Sequence, residues 1–207
     1  MTLEPQFVGA WQRASISIDG GTPREPARVL WLQAGDAFAD LRIPTDEGDL
    51  TRIEAFAGIT SYAAPALTWH HTLDWNGGFA GYDCGVVDLD GDQLVERGEF
   101  ERDGECHQYE EVWRRVDPGA DGAVLTALHS MVVQVGCHCL AFRDRRRRGG
   151  EFDVRHTQRC EGEWRDVIVI GDGAELPRLS IGRAADWEAG SDVVVDGVQW
   201  HVADQWG

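Results

Sequence analysis

Lysine is absent from the 207 residues, so all 19 basic side chains are arginine. Enzymes that form a Schiff base through lysine, pyridoxal-phosphate enzymes and Walker-type phosphate loops all need this residue. The absence of lysine therefore excludes these classes. Gly-x-Ser-x-Gly, His-Glu-x-x-His and dinucleotide-binding motifs are missing as well, so those catalytic classes also lack support.

Long apolar runs and a secretory start are missing too. No stretch approaches the roughly 20 apolar residues that cross a bilayer. The first residues have neither a basic n-region nor an apolar h-region. Five cysteines are an odd number, which favours reduced thiols over a disulfide framework. We expect a cytoplasmic protein with no membrane partner.

The charge balance is strongly acidic, with 36 acidic against 19 basic residues and a net charge of -17. Such a field repels a phosphate backbone, so nucleic acid is not an expected partner. A hydrophobic fraction of 43% that includes nine Trp predicts a globular core. We expect one domain over residues 1–207, and the sequence leaves the oligomeric state open, with a homodimer as one alternative.

Short segments that alternate apolar and polar residues recur along the whole chain, separated by turns rich in Gly, Pro and Asp. This pattern is typical of antiparallel β-structure, and helical periodicity is limited to turns near residues 50–57 and 184–189. We predict strands near residues 7–18, 27–33, 37–43, 66–75, 84–89, 93–100, 105–116, 123–135, 137–142, 152–160, 164–170 and 192–203. The predicted fold is all-β, a single antiparallel up-and-down barrel of about 8–10 strands.

The opening Phe7-Val8-Gly9-Ala10-Trp11 resembles the Gly-x-Trp start of lipocalins and fatty-acid-binding proteins. Residues 31–42, and Phe56-Ala57-Gly58 followed by Leu67-Thr68-Trp69-His70, are similar to segments of small lipocalin-like proteins. The resemblance covers about the first 115 residues. It implies a calycin barrel with an interior ligand cavity.

The resemblance also implies a partner for the opening tryptophan. In lipocalin-like proteins an arginine late in the barrel stacks on this ring. Arg114, Arg115 and Arg165 are the alternatives here.

Alternation predicts which side chains share the aromatic face of each strand. The aromatic residues that define these faces include Trp31, Phe38, Trp69, Trp75 and Trp113, and Leu73 falls on the same face as Trp69. The polar residues on the same faces are Gln33, Asp40, Arg42, His71, Tyr109 and Glu111. An unpaired buried charge costs several kcal/mol, so these groups must pair with one another if they point inward.

Two functional hypotheses follow from this set. In the first, the barrel is a binding protein without a cofactor, in which Trp rings stack on an aromatic or amphipathic metabolite and Arg42 holds an anionic group. The predicted ligand contacts are Trp31, Gln33, Phe38, Asp40, Arg42, Trp69, Trp113, His129 and His156. In the second, the barrel is a cofactor-free lyase, isomerase or cyclase with His71, Tyr109 and Glu111 as acid and base. A structural polar network, or a register that turns these side chains to water, is the alternative to both.

Three further motifs are weaker than they look. Residues 88–99 nearly match a calcium loop, but Gln93 replaces the required Gly, so a hairpin at Asp90-Gly91 is predicted instead. Cys137-His138-Cys139 lacks Cys-x-x-Cys spacing, and no metal site is predicted from it. The basic run at 143–150 is interpreted as an exposed loop.

Overall fold

A computed structural model of the chain describes residues 3–45, 52–77, 83–171, 176, 187–195 and 198–206. Over these ranges the chain forms fifteen β-strands and two short 3-10 turns, at Pro5–Phe7 and Arg146–Arg148. The predicted all-β class is confirmed. The same ranges contain no helix long and apolar enough to span a bilayer.

Neither predicted helical turn is seen in the described residues. Residues 54–57 begin a strand, residues 50–51 lie outside the described ranges, and Arg52 has a 3-10 conformation. Residues 184–186 also lie outside those ranges, and residues 187–189 form no helix. The first error has a physical cause, because residues 55–58 are buried on both faces of the strand and so show no alternation.

The first eight strands close into an antiparallel barrel, in which each strand pairs with the next and the eighth pairs with the first. They are β1 (Gly9–Ile18), β2 (Ala27–Ala34), β3 (Ala37–Pro44), β4 (Glu54–Ala63), β5 (Ala66–Asp74), β6 (Asp83–Asp90), β7 (Gln93–Arg102) and β8 (Glu105–Asp117). The predicted closed barrel is confirmed and is consistent with a calycin-like architecture. Among the three candidate arginines, Arg115 lies over the Trp11 ring, 4.5 Å from its centre.

The remaining seven strands form a separate antiparallel sheet. They are β9 (Gly122–Ala127), β10 (Ser130–Val135), β11 (His138–Asp144), β12 (Phe152–Cys160), β13 (Glu163–Ile170), β14 (Asp192–Val195) and β15 (Val198–Trp206). Their order across the sheet is β13-β12-β11-β10-β9-β15-β14. The strands after residue 116 therefore lie beside the barrel, whereas the alternation pattern had placed them in its wall.

One apolar core joins the barrel to the second sheet. From the outer face of β2 and β3 it takes Leu30, Leu32 and Leu41, and from the sheet it takes Val133 and Leu140. Because the inner faces of β2 and β3 are also buried, both faces of these strands are removed from water. The second sheet thus covers one side of the barrel without entering its interior.

Aromatic side chains fill one half of the barrel interior. Trp31 is the centre of this cluster, with ring centres of Trp11, Trp69 and Trp113 at 5.6–5.8 Å. Phe7, in the turn before β1, packs into the same cluster. We call this set the aromatic plug, comprising Phe7, Trp11, Trp31, Phe38, Trp69 and Trp113.

A β-bulge in β5 changes which of its side chains point inward. Gly58 of β4 pairs with His71 and Ala57 pairs with Leu73, so Thr72 is an extra residue. A Cβ on Gly58 would collide with the carbonyl oxygen of His70, which explains why glycine stands there. Leu73 therefore packs outward into the core shared with the second sheet, although strict alternation predicts it on the His71 face.

Candidate functional site

The half of the barrel that the aromatic plug leaves open contains a cavity of about 790 Å³. It lies at the end of the barrel where β1, β3 and β7 finish. Its inner wall is formed by side chains from five strands, namely Arg42, Phe56, His71, Glu96, Tyr109 and Glu111. The volume is within the about 300–1,000 Å³ that is typical of small-molecule sites.

The predicted tryptophan and phenylalanine contacts lie in the plug, below this cavity. Trp31, Phe38, Trp69 and Trp113 are buried and are not among the described residues that line the cavity. Their rings fill space instead of offering a surface to a ligand. These four aromatic residues therefore lie beside the cavity in the plug and do not line it.

Gln33 is a structural amide within the plug. Its Nε2 donates to the carbonyl oxygens of Gly35 and Ala37, at 2.8 and 3.1 Å. Its Oε1 accepts hydrogen bonds from Trp31 Nε1 and Thr60 Oγ1. Because these bonds occupy the amide of this buried side chain, Gln33 has no group to offer a ligand.

A buried ion pair forms the floor of the cavity between β1 and β8. Arg13 Nη1 donates to Glu111 Oε1, and Arg13 Nε donates to Glu25 Oε2 at 2.8 Å. The side chains of Arg13 and Glu111 are both 5% exposed. Glu111, predicted as a catalytic group, is thus held by an arginine that alternation did not identify.

Arg42 is likewise committed to carboxylates of its own chain. Its Nε donates to Asp40 Oδ1 at 3.0 Å, and its Nη1 lies 3.8 Å from Glu54 Oε2. Burial raises the pKa of Asp40, although the Arg42 charge opposes this shift. Since Arg42 already has two carboxylate partners, it does not present the free counter-charge that the anion hypothesis requires.

His71 lies between two aspartates. Its Nδ1 bonds Asp74 Oδ2 at 2.9 Å and its Nε2 bonds Asp83 Oδ2 at 2.8 Å. Burial lowers the pKa of His71, but the two carboxylates outweigh it and raise the pKa to about 9. The imidazolium also stacks on Phe56 at 4.4 Å. With both nitrogens protonated and bonded, His71 cannot serve as the predicted general base near neutral pH.

This arrangement predicts a specific pH dependence of stability. The folded pKa of about 9 exceeds the ordinary 6.5, so the stabilisation is complete below pH 6.5 and disappears as the pH rises through 9. Wild-type protein should lose about 3 kcal/mol of unfolding free energy from this group across that interval. His71→Gln should remove this part of the pH slope in urea unfolding.

His201→Gln is the matched control, because His201 bonds Asp192 at an exposed position on the second sheet. Its pH slope should equal that of the wild type. An unchanged slope in His71→Gln would show that the two aspartates do not stabilise a charged imidazole.

Glu96 and Tyr109 form the remaining part of the inner wall. Tyr109 donates its hydroxyl proton to Glu96 Oε1 at 2.6 Å, and Trp113 Nε1 donates to Glu96 Oε2 at 3.1 Å. Burial, together with the charges of Glu111 and Asp83, raises the pKa of Glu96 to about 8. Burial and the adjacent Glu96 also raise the pKa of Tyr109. These shifts favour the carboxylic acid form of Glu96 and the phenol form of Tyr109.

Two glycines provide the space for this pair. A Cβ on Gly85 would lie 2.6 Å from Cγ of Glu96, and one on Gly98 would lie 2.5 Å from the Tyr109 hydroxyl. Gly98 is directly opposite Tyr109 in the sheet. A side chain at either position would push Glu96 or Tyr109 further into the cavity.

The two predicted histidine contacts lie outside the barrel. His129 occupies the exposed turn between β9 and β10, with a φ of 60°. His156 is buried in β12, with its ring 5.7 Å from that of His138. Burial, His138 and Arg28 lower the pKa of His156 to about 4. Neither residue reaches the cavity, because the strands beside them belong to the second sheet.

Sequence reasoning missed several groups of the site. They are Arg13, Glu25, Asp74, Asp83 and Glu96. Glu96 could have been predicted from the sequence, because it lies on the same face of β7 as Leu94 and Phe100. Arg13 could have been predicted in the same way, because it lies two residues after Trp11 on β1. Asp74 could not, since only the bulge at Thr72 turns it toward His71.

The weaker motifs have structural roles. The hairpin at Asp90-Gly91 is confirmed, since β6 ends at Asp90 and Gly91 has a φ of 59°. In the basic run, Arg147 and Arg148 are exposed, whereas Arg146 donates to the carbonyl oxygen of Asp74 at 2.6 Å. That bond ties the second sheet to the cavity rim. Within the described ranges no group of three or more His, Cys, Asp or Glu side chains has an arrangement that could hold a metal ion.

One solved structure shares the fold over nearly the whole chain. An uncharacterised protein from Saccharomyces cerevisiae, YLR301w, is 16% identical over 96% of this chain and 99% of that chain, with a TM-score of 0.77. A second, an uncharacterised protein from Bacteroides eggerthii, is 13% identical over 53% of this chain and 98% of that chain, with a TM-score of 0.38. A comparison with curated proteins gives no match.

A family model described as Protein HRI1 matches residues 10–204. The matched segment begins in β1 and ends in β15. It therefore includes both the barrel and the second sheet. The chain belongs to the Protein HRI1 family.

Proposed function

We propose that the barrel of this protein binds a small organic molecule in its open half, as the lipocalin-like resemblance implies. The observation that carries the proposal is the cavity itself, about 790 Å³ inside a closed barrel. Side chains rarely leave such a volume unfilled in a structural core, because interiors are packed to crystal-like density. Here the aromatic plug fills one half of the barrel and the other half stays open.

The character of the wall supports a ligand that is partly apolar. Ile16, Ile18 and Phe100 contribute apolar surface toward the mouth, and the inner wall is polar. Binding sites for small molecules combine these two features, since the apolar surface supplies affinity and a few fixed polar groups supply orientation. The net charge of -17 makes a small molecule a better partner than nucleic acid.

The geometry of the cavity supports the enzyme hypothesis less well than the binding hypothesis. It requires a general base within the cavity, but His71 is a cation in which each ring nitrogen forms a hydrogen bond with an aspartate. Glu111 is held by Arg13. Binding without turnover uses the same groups and requires no free base, so it is the function that we propose.

A cavity-filling variant tests the proposal. Ala27 faces the cavity from β2, and Ala27→Trp should fill its mouth. We expect wild-type protein to bind 2-naphthalenemethanol at micromolar to millimolar concentration in isothermal titration calorimetry, and Ala27→Trp to bind at least about tenfold more weakly. Circular dichroism checks that the variant is folded, and Ile18→Trp, on a neighbouring strand, provides a second blocking variant.

Ala120→Trp is the control, because Ala120 is exposed in the segment that connects β8 to β9 and does not line the cavity. It should bind as the wild type does. Equal binding by the blocking and control variants would place the ligand outside the barrel and refute the proposal.

A further inference from the structure

The chemistry of the cavity wall indicates which class of ligand it takes, an inference that rests on the proposed function. We infer that the ligand carries a cationic amino group that binds between Glu96 and Glu111, with its apolar part toward Ile16 and Ile18. This assignment differs from the anionic ligand that the sequence suggested for Arg42.

The charges of the inner wall and the floor of the cavity favour a cationic ligand. Each of the three cationic groups there already forms ion pairs with two carboxylates of this chain. The partners are Glu25 and Glu111 for Arg13, Asp40 and Glu54 for Arg42, and Asp74 and Asp83 for His71. A ligand anion would have to compete with these bonds, whereas a ligand cation would not.

The position of Glu96 also favours a cation. Glu96 and Glu111 are directly opposite on β7 and β8, and they are 5% and 4% exposed. Like charges directly opposite in a sheet are destabilising. Arg13 forms an ion pair with Glu111. Over the described ranges, however, no basic side chain forms an ion pair with Glu96. Its hydrogen-bond donors are the neutral Tyr109 and Trp113.

A cation between the two glutamates would supply this missing counter-charge. Without a ligand, the carboxyl of Glu96 has a pKa of about 8 because burial and two neighbouring carboxylates disfavour its charge. An ammonium group beside Glu96 would favour its charged carboxylate form, so Glu96 would release its proton to solvent. Binding of an amine near neutral pH should therefore release a proton.

The rim of the cavity has the opposite charge. Arg24, Arg52 and Arg102 line it and are exposed, together with Glu99. Exposed charges are screened by solvent and contribute little to affinity compared with buried ones. The buried acidic wall rather than the basic rim should therefore decide which ligand binds.

Three compounds that share one ring system test the inference at pH 7 by isothermal titration calorimetry. They are 2-naphthylmethylamine, which is a cation, 2-naphthalenemethanol, which is neutral, and 2-naphthoate, which is an anion. We expect the amine to bind at least about tenfold more tightly than the alcohol, and the naphthoate more weakly than both. The amine should release up to one proton, measured as a dependence of the binding heat on the ionisation heat of the buffer.

Glu96→Gln should weaken the amine about tenfold, abolish proton release and leave the alcohol within about twofold. Glu101→Gln makes the same charge change at an exposed position of β7 that does not line the cavity, and it should bind as the wild type does. The proton-release measurement uses wild-type protein alone, so it stands even if Glu96→Gln does not fold.

The outcomes distinguish failure of the cation assignment from failure of the proposed binding function. Equal binding of all three compounds, or tightest binding of the naphthoate, overturns the cation assignment and leaves a binding cavity intact. Binding of the amine without proton release also overturns it. If none of the three compounds binds, the proposed function fails as well.

Discussion

Arg13→Met should lose about 3–5 kcal/mol of unfolding free energy at pH 7.5, measured by urea denaturation. Arg13 is the counter-ion of Glu111, and both side chains are 5% exposed. Methionine fills a similar volume but leaves the Glu111 carboxylate buried beside Glu96 without a cation.

Two further variants separate this effect from simple loss of packing. The double variant Arg13→Met with Glu111→Leu should recover at least half of the loss, since replacing both members of a buried pair is often neutral. Arg97→Met removes an exposed ion pair with Glu110, whose side chains are 54% and 47% exposed, and should cost less than about 1 kcal/mol. A deficit in Arg13→Met no larger than in Arg97→Met would contradict the buried ion pair.

Trp31→Ala should lose a similar amount, about 3–5 kcal/mol, because it removes the centre of the aromatic plug. Trp31 contacts the rings of Trp11, Trp69 and Trp113 and donates its indole proton to Gln33. The surrounding rings belong to the barrel wall and cannot collapse into the space. Thermal and urea unfolding measure the loss.

Trp31→Phe keeps most of the apolar volume and should cost about half as much. Leu128→Ala is the control, since Leu128 is 73% exposed, and it should stay within about 0.5 kcal/mol of wild type. If Trp31→Ala were as stable as this control, the plug would not be the packed half of the barrel.

Alternation correctly predicted the inward side chains along the stretches of strand that contain no bulge. On β3 it placed Phe38, Asp40 and Arg42 inside, and on β8 it placed Tyr109 and Glu111 inside. It failed on β5 after His71, because one extra residue inverts every later side chain. A bulge depends on pairing with β4, which a single strand does not encode.

The division of the interior into a plug and a cavity was not predictable from the sequence. Aromatic and polar residues share the same faces, and only the closed barrel places the tryptophans at one end and the charges at the other. One partner of each group is close in sequence, Asp40 for Arg42 and Asp74 for His71, but the second partners, Glu54 and Asp83, come from other strands. The sequence alone therefore did not show that Arg42 faces two carboxylates.

The second sheet was missed for a related reason. Its central strands, β9, β10 and β11, are mostly buried on both faces, and the burial of a strand does not identify the surface that covers it. Val133 and Leu140 face the outside of the barrel wall, whereas a lumen-facing strand would show the same pattern.

A crystal structure of the protein soaked with 2-naphthylmethylamine would show whether the barrel cavity binds an amine. We expect electron density in the cavity, with the amino group within hydrogen-bond distance of Glu96 and Glu111 and the ring toward Ile16 and Ile18. Density outside the barrel, or a cavity filled by rearranged side chains, would contradict this expectation.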